Sequence, residues 1–81
     1  MSEEARRKID DSRIELAACE ADLRTVIDIL VPYLRIAAWN GNLEDFDNYA
    51  DALRNITAAY MHIREVKKTL REILSKEEDK E

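Results

Sequence analysis

Apolar residues recur along the first half of the chain every seven positions, at Ile9, Leu16, Leu23 and Leu30. Ser12, Cys19 and Val26 fill intermediate positions three residues on, and Leu34 and Ala37 continue the stripe. This period marks an α-helix with a coiled-coil-like seam, held for about four repeats. A second apolar line runs through Ile14, Ala18, Ala21, Thr25, Ile29, Ile36 and Trp39. At about 100° per residue it falls on roughly the opposite face of the same helix. A helix that is apolar on two faces has neighbours on two faces.

In the second half, Phe46, Tyr49, Leu53, Ile56, Tyr60, Ile63, Val66, Leu70 and Ile73 follow steps of three and four residues. Glu44, Asp47, Asp51, Arg54, His62 and Glu65 fall on the wet side of that helix. Between the two halves lies Trp39-Asn40-Gly41-Asn42, which holds the only Gly and the only Trp. Gly41 suits the left-handed position that ends a helix, with Asn40 as a substitute. Asn42 suits the N-cap of the next helix, and Asp45 three residues on resembles a capping box. Ser2 is a fair N-cap for the first helix, with Glu3 and Glu4 at the positive end of its dipole.

The expected fold is therefore all-α: an antiparallel αα-hairpin with helix 1 over about 3–39, a turn at 40–42, helix 2 over about 43–75, and a frayed tail at 76–81. Folding about Gly41 sets residue i opposite roughly 82 − i, so that apolar residues meet along the whole length. Pro32 removes one backbone hydrogen bond from helix 1 and crowds the carbonyl of Asp28. Val31 would cap a new helix poorly, so a kinked continuous helix is expected rather than a break. Two long helices enclose no core, and two hairpins forming an antiparallel four-helix homodimer is the natural completion.

Composition agrees with long helices bathed in water: one Gly and one Pro in 81 residues, and 38% charged. A chain this short buries only about 60% of its unfolded surface, which leaves a marginal single domain. The formal net charge of −5 disfavours nucleic acid as a partner. The longest apolar-rich run, 26–39, is interrupted by Asp28, Pro32 and Arg35 and does not span a bilayer. Charged residues fill positions 1–13 where a signal peptide would need an apolar core, so cytoplasmic residence is expected.

Candidate chemistry is sparse. His62 and Glu65 form His-x-x-Glu, but both lie on the polar face with no inward carboxylates beside them, so no metal site is expected. The single Cys19 sits mid-seam between Leu16 and Leu23 and is expected to be a small core residue rather than a nucleophile. No phosphate loop or catalytic triad spacing is present, and no cofactor is implied. Arg6, Arg13, Arg24 and Arg35 share one side of helix 1, while Glu4, Asp11, Glu15 and Asp22 share the other. The arginine line is the alternative candidate, as a contact to an RNA or DNA backbone. Charge sorting beside a seam more simply sets helix orientation.

Trp39-Asn40-Gly41 between two long amphipathic helices resembles the small Trp-X-Gly helical-hairpin proteins exported by type VII secretion. Phe46 matches the aromatic residue early in their second helix. The Tyr-x-x-x-Asp/Glu signal of that family is not matched, since Tyr60 is followed four residues later by Arg64. The resemblance implies an exported, non-catalytic dimer with Trp39 and Gly41 shaping the turn. The residues themselves lead to the expectation of a non-enzymatic protein acting by protein–protein association as an adaptor, regulator, chaperone or inhibitor. The exported hairpin dimer is the alternative that the resemblance implies. A homodimer is the favoured assembly, with Ile14, Ala18, Ala21, Thr25, Ile29, Ile36 and Trp39 as its interface.

Overall fold

The structure is a computed structural model that describes residues 1–79. It contains two helices, α1 (Glu3–Trp39) and α2 (Leu43–Asp79), packed antiparallel against each other. Each has 37 residues, about 55 Å at 1.5 Å per residue, and the molecule measures 61 × 15 × 13 Å. It is a rod two helices wide. No described helix is long and apolar enough to cross a membrane.

The ends of α1 form as their residues dictate. The Ser2 hydroxyl accepts from the Ala5 amide at 3.1 Å, with Glu3 and Glu4 in the first turn. At the other end Gly41 takes a left-handed φ of 69°. The Gly41 amide donates to the Ala38 carbonyl at 3.2 Å and the Asn42 amide to the Ala37 carbonyl at 2.9 Å, the paired bonds of a Schellman stop. Asn42 then starts α2. Its side-chain oxygen accepts from the Asp45 amide at 3.1 Å, and its side-chain amide donates to the Asp45 carboxylate at 2.9 Å. Three residues thus end one helix and begin the next.

Pro32 lies inside α1 without ending it; the helix runs without interruption from Glu3 to Trp39. The hairpin register is close to the one expected: Tyr33 packs against Tyr49 with ring centroids 6.1 Å apart.

The seam differs from expectation in one respect. Ser12, Cys19 and Val26 are exposed, and the half-buried positions between the heptad leucines are Arg13, Glu20 and Ile27, four residues on rather than three. Two charged residues therefore occupy the helix interface, and each is neutralised. Lys67 of α2 donates to Glu20 at 2.8 Å across the interface, and Arg13 pairs with Asp10 at 3.1 Å. On α2 the same shift puts Leu74 in the interface and leaves Ile73 exposed.

α2 also outlasts its expected end at 75. The N-terminal ammonium of Met1 pairs with Glu77 at 3.1 Å and Arg6 with Glu78 at 3.6 Å, and the helix continues to Asp79. Polar contacts to α1 hold a turn that buries little apolar surface. Lys80 and Glu81, the rest of the expected tail, lie outside the described residues.

Candidate interaction surface

A two-helix rod encloses very little. Among the described residues only Ala37 and Leu74 are buried, and no side chain is fully so. The remaining seam residues, including Leu16, Leu23, Leu30, Leu53 and Ile63, are half-buried.

The second apolar line of α1 faces water along its whole length. Ile14 is 65% exposed, Ile29 53%, Ile36 55% and Trp39 91%, and Ala18, Ala21 and Thr25 are exposed between them. These seven side chains lie on the side of α1 turned away from α2. The two alanines at the middle of the stripe leave room for another backbone to approach closely. The Thr25 hydroxyl donates to the Ala21 carbonyl at 3.1 Å, so its methyl group remains for contact. An apolar helix face of this length, unpartnered in the hairpin, is the surface most in need of a neighbour.

Sequence reasoning missed part of the exposed apolar surface. Tyr33, Val26, Leu43, Met61 and Ile73 are exposed as well. Leu43 adjoins the turn beside Trp39 and extends the apolar tip of the rod. Its signal was available, as an apolar residue at the first position of a helix, where nothing packs on it.

The arginine line divides in two. Arg6 and Arg13 are half-buried and paired with Glu78 and Asp10, whereas Arg24 and Arg35 are exposed and make no ion pair with the described residues. Arg64, Lys67, Lys68 and Arg71 of α2 share an open groove with Glu20 of α1, and Arg13 and Arg71 share the next. One side of the hairpin thus gathers cations from both helices, with Asp10, Glu20, Glu65 and Glu78 set among them.

His62 is exposed on α2, and no group of His, Cys, Asp or Glu among the described residues is arranged to hold a metal ion. Cys19 is exposed, not a core residue. Searches against family models, curated proteins and solved structures find no match to this chain.

Proposed function

We propose that the protein is non-enzymatic and works by protein–protein association, as a small helical adaptor, regulator, chaperone or inhibitor. Its docking surface is the outer face of α1, through Ile14, Ala18, Ala21, Thr25, Ile29, Ile36 and Trp39. The observation that carries this reading is the exposure of that stripe on a hairpin with only two buried residues among those described. Exposed aliphatic side chains at helical spacing suit a helix laid along them, and a bend at Pro32 would curve the Ile29–Ile36 segment around it. The hairpin also self-associates, as a homodimer with four helices.

The test is the mass of the full chain in solution. Light scattering at micromolar concentration is expected to give a species heavier than the 9.4 kDa chain. A folded 9.4 kDa monomer would remove self-association. Docking on the outer face is read separately, from loss of partner binding in Ala21→Glu and Ile29→Asp.

A second reading, contact with an RNA or DNA backbone, is favoured by the exposed Arg24 and Arg35 and by the cations of α2. Acidic residues throughout both helices weigh against it. Retention on nucleic acid at low salt, falling steeply as salt rises, would support it, and no retention would remove it.

A further inference from the structure

We infer that the second copy of the chain docks on the side of the hairpin that carries Cys19, rather than on the outer face of α1 that the sequence pattern alone suggests for the homodimer, and leaves that outer face free for a different protein. The inference rests on the proposed self-association and assigns its surface.

The first observation is an excess of surface. A compact folded chain of 9.4 kDa exposes about 5,000 Å², whereas this hairpin exposes 6297 Å², about 1,300 Å² more. Covering that excess on each of two copies would bury about 2,600 Å² in total, within the range of obligate dimers.

The second observation is the difference between the two open sides of the hairpin. On α1, Ser12, Cys19, Val26 and Tyr33 recur every seven residues beside the seam; all are exposed, and the last touches Tyr49 of α2. On α2, Ala52, Ala59, Val66 and Ile73 recur every seven residues, the first and third half-buried and the others exposed. The grooves that join Arg13 to Arg71, and Glu20 to Arg64, Lys67 and Lys68, lie on one side of the helix pair. The helical repeat puts both seven-residue rows on the other side, facing the same way.

That side has uncharged, small or apolar residues from both helices in two parallel rows, continuous with the half-buried seam and bordered on α1 by the exposed Asp11, Glu15 and Asp22. A second hairpin laid on it meets eight such positions and closes a four-helix core. The opposite side carries Arg13, Arg24, Arg64, Lys68 and Arg71 together with Asp10 and Glu20, so a second copy there would bury charged groups of both signs at a cost in desolvation. The paired uncharged rows, present on this side alone, therefore mark it for the second copy.

Two native probes separate the possibilities in the full-length chain. Cys19 reports the proposed face, and Trp39, the sole tryptophan, reports the outer face. As concentration rises through the dimerisation range, maleimide labelling of Cys19 is expected to slow, by about tenfold where nine-tenths of the chains are dimeric. Trp39 emission is expected to remain that of a water-exposed indole. Ala59→Glu should abolish the dimer, whether or not the released chain stays folded, while Ala21→Glu should retain it.

A dimer in which Cys19 labels at the monomer rate and Trp39 emission shifts to the blue would overturn this assignment and leave self-association standing. If both variants dissociate, the rate at Cys19 in the unmodified chain decides. A folded monomer at every concentration would overturn the assignment together with the self-association beneath it.

Discussion

Gly41 shows what one residue contributes when its conformation rather than its contacts is needed. Its φ of 69° closes both terminal bonds of α1, and a Cβ built there would meet nothing within 4 Å. Gly41→Ala therefore costs only the left-handed backbone energy, about 1 kcal/mol, with no steric addition. Urea unfolding should show that loss at an unchanged slope, and Gly41→Asn should recover part of it, because Asn tolerates this region better. A loss several times larger would mean that the turn also makes contacts with a partner. The turn was legible in the sequence because its chemistry is local: Gly41, Asn42 and Asp45 each satisfy backbone groups within a few residues of themselves. Trp39 was less legible. The turn's hydrogen bonds all close without it, and it is 91% exposed, so the Trp-X-Gly spacing describes a helix stop next to a free aromatic side chain.

The helices were legible as elements, because apolar spacing and missing turn residues leave little else for the chain to form. Their facing positions were legible only in part. Ile9, Leu16, Leu23 and Leu30 are half-buried as their spacing predicts, yet the interface continues through Arg13, Glu20 and Ile27 rather than Ser12, Cys19 and Val26. A pattern read from one helix avoids charged positions, since it contains no information about a partner 47 residues away. Lys67 supplies that partner, at 2.8 Å from Glu20 with both side chains mostly shielded from water. Lys67→Leu alone leaves Glu20 without its partner and should destabilise the hairpin by about 1–3 kcal/mol. Glu20→Leu combined with Lys67→Leu should match or exceed the original stability, because apolar contact replaces a pair whose desolvation offsets most of its attraction. Thermal unfolding of the two singles and the double measures the coupling. Additive losses would show that the pair contributes nothing across the interface.

At the scale of the whole molecule, the hairpin's geometry limits its stability more than any single contact does. Two helices of 37 residues bury one stripe each, and among the described residues that stripe completes the burial of Ala37 and Leu74 alone. Isolated helices gain most of their stability in proteins from packing of an apolar face, and the conformational entropy of about 80 ordered residues is large. A rod with so little enclosed core is therefore expected to fold fully only as its remaining apolar faces are covered. The exposed Val26, Tyr33 and Ile73 on one side, and Ile14, Ile29, Ile36 and Trp39 on another, are the places where that cover can form. Folding is then coupled to association, and stability must depend on concentration. For a folded dimer in equilibrium with two unfolded chains, each tenfold rise in concentration adds about 1.4 kcal/mol per dimer. For an assembly of two such chains this raises the melting temperature by about 3–5 °C. Helical circular dichroism followed through melts across a hundredfold dilution series measures the shift directly. A cooperative melt whose midpoint stays fixed across that series would mean that one hairpin is stable alone. The exposed faces would then serve other proteins and not the fold itself.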